Sequence, residues 1–262
     1  DIPSLGYSTY YIKPVGKAPE AITNSFSPDF ENEFFSVKFG RGGITQLYDK
    51  KLRKEIKGEG KFAIGEVFTM KSVGNGAGEF AEIQQPTMEG FDRTGLYETE
   101  WEMITSGPVS SSFRYRRQIR YAVIEETITF FNRLRRIDFD IDIKNWEGIL
   151  YREFRAAFPL NIVDPEITYE VPAGVVRVGK DELPQAAGNI YQTDCRLVHP
   201  RTMIDWTNVS GKEFGATLSS SVTAFDYIDP TPDPGSSTLL QPILMASRKS
   251  CHWEGNDYIQ PG

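Results

Sequence analysis

Histidine and cysteine are scarce, two of each in 262 residues. A zinc centre built from this chain alone would need carboxylates or thiolates beside His199 or His252 at ligand spacing. No such spacing occurs, so no metal site is expected. Cys195 and Cys251 stand in unrelated surroundings, which argues against a disulfide framework and reads as two ordinary thiols. Unbroken apolar runs of 18 or more residues are missing, so no helical membrane span is expected. A basic excess is missing too. With 29 Lys and Arg against 36 Asp and Glu, the net charge is −7, the opposite of a nucleic-acid binder's footprint. Internal repeats and long amphipathic helices are absent. The opening Asp1-Ile2-Pro3-Ser4-Leu5-Gly6 has neither a basic head nor an apolar stretch and does not read as a signal peptide. The lack of an initiator Met fits a processed or excised polypeptide, and the compartment is not legible from this end.

What dominates instead is a period of two. In Phe113 to Tyr121 the odd positions are Phe, Tyr, Arg, Ile and Tyr, and the even positions are Arg, Arg, Gln and Arg. One face is largely apolar and the other charged, as a half-buried strand requires. The phase then shifts to Ile124, Ile128 and Phe130, which places a turn or bulge near Ala122 to Glu125, because a one-residue slip turns every side chain over. In the next run Ile137, Phe139, Ile141 and Ile143 alternate with Asp138, Asp140 and Asp142. A period of 3.6 would smear both classes round the axis. Residues 112–145 therefore read as adjacent antiparallel strands, with Asn132-Arg133 at the turn before the last.

Weaker strand signals cover Glu33 to Phe39, Ile44 to Tyr48, Tyr151 to Leu160, Ile167 to Val178, Phe214 to Leu218 and Ile243 to Ala246. Gly40-Arg41-Gly42-Gly43 supplies the turn between the first two. Gly74-Asn75-Gly76-Ala77-Gly78 and Asp229-Pro230-Thr231-Pro232-Asp233-Pro234-Gly235 are loops. Residues 180–198 form an aperiodic excursion. Many short strands with Gly, Pro and Asp turns predict an all-β chain, a large antiparallel β-sandwich with two facing sheets.

Several segments, taken in order, resemble the C-terminal β domain of glycoside hydrolase family 38, the α-mannosidases. They are Pro3 to Tyr11, Glu31 to Val37, Gly42-Gly43-Ile44-Thr45-Gln46-Leu47-Tyr48-Asp49-Lys50, Tyr151-Arg152-Glu153-Phe154-Arg155-Ala156-Ala157-Phe158-Pro159-Leu160 and Tyr169 to Val176. The resemblance runs the length of the chain. It implies a supersandwich of the galactose-mutarotase-like type over residues 1–262 as a single region. In that family the catalytic Asp nucleophile, the acid/base carboxylate and a zinc ion belong to an N-terminal barrel, followed by a helical bundle. This chain is expected to lack both, to hold no catalytic residue and no metal ligand, and to be inactive alone. Its implied partners are a mannoside substrate and those missing domains, with neither nucleic acid nor membrane.

The same resemblance implies that a loop of the β domain helps shape the sugar pocket. The matching positions are Gly76-Ala77-Gly78-Glu79-Phe80 and Phe91-Asp92-Arg93, which makes Glu79, Phe80, Phe91 and Asp92 the candidate substrate-binding residues. Carboxylates suit sugars because they accept strongly from hydroxyl donors. The bland alternative is a pair of loop acids in solvent.

Other constellations read mainly as scaffold. Asp138, Asp140 and Asp142 lie about 6.5–7 Å apart along one strand face, while a retaining acid/base pair needs about 5–5.5 Å, so a solvated face opposite basic partners explains them better. Arg152, Glu153 and Arg155 read as a cross-strand salt-bridge ladder, with a substrate-carboxylate site as the alternative. His252, Glu254 and Asn256 form a candidate polar cluster at a domain seam, and His199 and His252 read first as hydrogen-bonded structural groups. Tyr10, Tyr11, Trp146, Trp206 and Trp253 could stack on sugars, though aromatics in an all-β chain mostly fill the core. Two rival functions remain. A free-standing carbohydrate-binding sandwich would need an open aromatic groove, and a mutarotase-type epimerase would need His199 or His252 facing a sugar ring.

Overall fold

The structure, a computed structural model, describes residues 6–14, 16, 25–73, 85–182 and 200–247. The first sheet is an antiparallel meander of β1 (Asp29–Glu31), β2 (Phe35–Gly40), β3 (Gly43–Asp49) and β4 (Lys54–Glu55). Its β2–β3 turn depends on Gly42, whose φ is +68° and whose would-be Cβ would lie 2.5 Å from the Gly95 nitrogen. No larger residue fits that approach. The chain then enters the central sheet through β5 (Val67–Val73), joined at its edge by the short β6 (Gln85–Pro86) and β7 (Asp92–Arg93).

A second meander follows: β8 (Trp101–Ser106), β9 (Ser110–Ile119), β10 (Ala122–Phe131) and β11 (Ile137–Lys144), in spatial order β11-β10-β9-β8. The change of phase expected at Ala122 to Glu125 falls slightly earlier. Ile119 pairs directly with Ala122, and the two-residue turn is Arg120-Tyr121, with Tyr121 at φ +70°. A two-residue hairpin turn puts an odd and an even residue opposite each other, so the inward face passes from odd to even numbers without a bulge.

Returning to the central sheet, the chain forms β12 (Arg152–Ala156) and β13 (Phe158–Leu160). It leaves for a third meander of β14 (Glu166–Val171), β15 (Gly174–Arg177), β17 (Trp206–Ser210) and β18 (Gly215–Ser219), interrupted by β16 (Arg201–Thr202). Last come β19 (Ala224–Asp226) and β20 (Thr238–Ala246). The central order is β16-β19-β20-β12-β5-β6, with β13 on β20 and β7 on β5. All pairings are antiparallel. The all-β sandwich expected from the sequence is therefore present, assembled, among the described residues, from four hydrogen-bonded sheets rather than two unbroken ones.

One core joins them. Phe35, Val37 and Phe39 of the first sheet, Phe113, Ile128 and Phe130 of the second, Ala156, Phe158 and Leu160 of the central sheet, and Ile167, Tyr169 and Val209 of the fourth lie in a single buried cluster. Ala156, Phe158 and Leu160 face this side, while Phe154 packs in a neighbouring cluster with Val67, Ile124 and Trp146. On the opposite side of the central sheet, Ala157, Phe68, Met70 and Leu239 pack with Phe62. Complete burial of such side chains stabilises by about 1.5–3 kcal/mol each.

Candidate functional site

Phe91 and Asp92, the described members of the sequence-predicted sugar-contacting set, sit where the edge of β5 takes a short partner. Asp92 pairs with Thr69 and Arg93 with Phe68. Glu79 and Phe80 lie outside the described residues, in the 74–84 connection between β5 and β6. Phe91 packs on Phe62 and Phe68, with ring centroids 6.4 and 6.1 Å away. Asp92 is 6% exposed. Its carboxylate accepts from the Tyr97 hydroxyl at 3.0–3.1 Å, from the Arg120 amide at 2.7 Å and from its neighbour Arg93's amide at 2.9 Å. One side chain thus fastens the short 3-10 turn of Thr94–Leu96 to the β9–β10 hairpin tip.

A second fastening runs in parallel. The Arg152 guanidinium donates to the carbonyls of Glu89 and Gly90 at 3.1 and 3.3 Å and lies 4.8 Å from the centre of the Tyr121 ring. Gly90 has φ +60°, and a Cβ there would sit 2.5 Å from Arg152 Nη2, so glycine lets the turn close over Arg152 without backbone strain or displacement of the guanidinium. Arg120 and Arg117 stack on Tyr121 and Tyr97 at 5.8 Å each. Hydrogen bonds from Arg120 and then Arg152 draw the Tyr121 phenol below its usual range. Burial, and then the Asp92 carboxylate, raises Tyr97. The result is a rim of arginines and tyrosines whose geometry is fixed by Asp92 and Gly90. The sequence reading missed Tyr97, Arg120, Tyr121 and Arg152 as one group, because only the hairpin's three-dimensional closure brings them together.

Beneath this rim, Glu66 is almost wholly buried and accepts from Arg93 at 2.9 Å, from the Ala63 amide at 2.7 Å and from the Gly95 amide at 2.9 Å. Burial raises its pKa, opposed by Arg93 and the two amides. Each lone pair has a donor, as buried carboxylates require.

The remaining sequence candidates separate cleanly. Asp138 pairs with Arg136, and Asp142 with Lys144 at 3.5 Å, as a solvated face predicts. Arg152, Glu153 and Arg155, read from the sequence as a cross-strand salt-bridge ladder, are 4%, 0% and 1% exposed, and the one cross-strand ion pair given for them is Arg155–Asp226. Strand β12 is central and covered on both faces, so its charges must find partners inside. Arg155 donates to Glu153 at 2.6–2.8 Å, to Asp226 at 2.9 Å and to Gln241 at 3.0 Å. The aromatic platform is not assembled among the described residues. Trp146 is buried edge-on against Phe154, while Tyr10 and Tyr11 are exposed in the 6–14 segment and Trp206 lies on β17. Trp253, Cys195, Cys251, His199, His252, Glu254 and Asn256 lie outside the described residues. Among the described residues no group of three or more His, Cys, Asp or Glu side chains is placed to hold a metal ion, and no helix is long and apolar enough to cross a membrane.

Buried charges on a central strand, a core shared by four antiparallel sheets and a loop-bearing sheet edge define a large antiparallel β-sandwich. The family description "Glycosyl hydrolases family 38 C-terminal domain" matches residues 30–222, and the chain belongs to that family. Among solved structures, an α-mannosidase from Enterococcus faecalis V583 superposes with a TM-score of 0.64 at 16% identity, over 86% of this chain and 26% of its own. A glycosyl hydrolase family 38 protein from Enterococcus faecalis gives a TM-score of 0.65 at 16% identity, over 95% of this chain and 30% of its own. The chain thus spans less than a third of the length of these structural relatives. No curated protein sequence matches it.

Proposed function

We propose that this chain is the non-catalytic β-sandwich portion of an α-mannosidase-like glycoside hydrolase, which supports a catalytic barrel and lends it a loop of the sugar pocket. The observation that carries this reading is the coverage: nearly all of the chain superposes on about a quarter to a third of proteins described as an α-mannosidase and a family 38 hydrolase. Within it, Glu79, Phe80 and the part-exposed Phe91 are the residues assigned to the sugar. Asp92 orients the segment, since protein donors already occupy its oxygens. Zinc and the acid/base carboxylates belong to the barrel. Such a division suits a hydrolase, because a positioned loop contributes binding energy while the reacting groups sit on another rigid unit.

The rival reading is a free-standing carbohydrate-binding sandwich. Calorimetric titration of the chain with methyl α-mannoside and an α-linked mannobiose separates the two. A lone loop without its barrel gives no saturable heat at millimolar sugar. Saturable micromolar binding favours the rival.

A further inference from the structure

The chain carries more acids than bases, yet at the β9–β10 hairpin tip three guanidiniums gather with no acid against them. Elsewhere arginines are paired: Arg93 with Glu66, Arg135 with Asp49, Arg155 with Glu153 and Asp226, and Arg201 with Glu182. The guanidiniums of Arg117, Arg120 and Arg152 make no ion pair among the described residues. Arg120 and Arg152 form the centre of the group. Their guanidiniums lie 5.8 and 4.8 Å from the centre of the Tyr121 ring, and both direct a hydrogen bond at its hydroxyl. They meet again beside Gly90, where the point a Cβ would occupy is 2.5 Å from Arg152 Nη2 and 3.4 Å from Arg120 Cδ. The gap left by the missing side chain is therefore bounded by both arginines. Arg117 flanks them, stacked on Tyr97, and its Nε is buried with no hydrogen-bond partner among the described residues.

Each guanidinium carries five N–H donors. The acceptors the protein offers Arg120 and Arg152 are the Tyr121 hydroxyl and the carbonyls of Glu89 and Gly90, so donors outnumber acceptors. Charge is out of balance in the same sense. A buried cation without a counter-ion is costly. Arg152 is buried, and the neighbouring Arg120 repels it. Two acids lie near and neither answers this charge in contact. The Asp92 carboxylate is engaged by the Tyr97 hydroxyl and the amides of Arg93 and Arg120, and Glu89 is held by Lys71 at 2.7 Å. Arg120 is exposed and Gly90 half-buried, so the missing negative charge has access from solvent. Two adjacent guanidinium forks suit a tetrahedral oxyanion of charge near −2 better than a single carboxylate, which brings half that charge.

We propose that Arg120 and Arg152, flanked by Arg117, form a binding site for a phosphate dianion, free or as a monoester, at the tip of the β9–β10 hairpin. The site needs neither a barrel nor a sugar, so its test stands apart from the α-mannosidase reading.

Isothermal titration calorimetry of the intact chain in low-salt buffer near neutral pH tests it, with inorganic phosphate in one arm and methyl phosphate in the other. Expected is saturable binding of about one phosphate per chain, weakened about tenfold or more by Arg120→Gln, as loss of a hydrogen bond to a charged group implies. Arg120→Lys, which keeps the charge but not the fork, recovers part of the affinity. Arg120 is exposed at a turn, so these variants keep the core. Arg116→Gln, a change at an exposed and equally unpaired arginine on the outward row of β9, leaves binding as it was. Binding of methyl phosphate assigns a phosphorylated molecule as ligand, and binding of inorganic phosphate alone assigns the free ion. No saturable heat in either arm, indifference to Arg120→Gln, or equal weakening by Arg116→Gln and Arg120→Gln each overturns the proposal.

Discussion

The hydroxyl of Tyr115 donates to Oε2 of Glu126 at 2.7 Å in a wholly buried site, while Oε1 of the same carboxyl has no hydrogen-bond partner among the described residues. The two residues are directly paired across β9 and β10, so the sheet register forces them together. Burial is the main cause that lifts the Glu126 pKa well above that of a free carboxyl; the Tyr115 hydrogen bond opposes it, and nearby Glu66 adds to it.

That relationship fixes a pH dependence. A raised folded-state pKa means the folded chain keeps a proton that the unfolded chain has released. Stability is then full below the unfolded value of about 4.5 and falls as pH rises from there toward the folded pKa. Glu66, also raised, acts with the same sign. Glu126→Gln removes the larger part of this slope, so the stability of the variant relative to the parent rises as pH rises from 5 to 8. Urea denaturation from pH 5 to 8 checks it, and an unchanged slope contradicts it.

Arg155 gives a second prediction. Its guanidinium is shared by Glu153 and Asp226 deep in the central sheet. Arg155→Met removes the shared cation from two buried carboxylates and should destabilise by about 3–5 kcal/mol. The loss should exceed that of an exposed pair such as Lys54–Glu213, whose removal costs at most about 1 kcal/mol. Equal losses in denaturant titrations would show that burial is not what gives Arg155 its weight.

The turn over Arg152 gives a third. Gly90→Ala imposes a left-handed conformation on a side-chain-bearing residue, at about 1–2 kcal/mol, and pushes a methyl into Arg152 Nη2. Faster amide exchange in 86–97 with 110–119 unaffected is the expected result. It would place control of the proposed loop's foot at Gly90 rather than in the strands.

A fourth concerns the ends of the 183–199 connection. Glu182, just before it, is bonded by Arg201, just after it, at 2.8 and 3.0 Å, and also accepts from the Tyr169 hydroxyl. Burial pushes the Glu182 pKa up, but Arg201 and the Gly179 amide outweigh it and leave it depressed. Burial, and then the same carboxylate, raises Tyr169 to about 12. A depressed carboxyl contributes stability that is present above its unfolded value and lost as pH falls through the folded one. Exchange of the 200–203 amides should accelerate on acidification below about pH 4.5, and Glu182→Gln should show the accelerated rate already at neutral pH.

The second meander was legible in the sequence because one of its faces meets solvent. Ile137 to Ile143 alternate with three aspartates, and the structure repeats that alternation strand for strand. Strand β5 escaped, since Val67, Phe68, Thr69 and Met70 are all fully buried and a strand covered on both sides carries no polarity period. The same double burial turned the expected ladder of Arg152, Glu153 and Arg155 into an internal ion cluster. At the candidate site, Phe91 and Asp92 came from family-like motifs. Their partners Tyr97, Arg120 and Arg152 are set by pairings between distant segments, which no local pattern records.

The central claim is that the chemistry resides outside this chain. Incubating the purified chain with a chromogenic aryl α-mannoside, with and without added zinc, tests it most directly. Release of aryl alcohol at the buffer-blank rate in both arms is the predicted result. Saturable, enzyme-dependent release in either arm would contradict it.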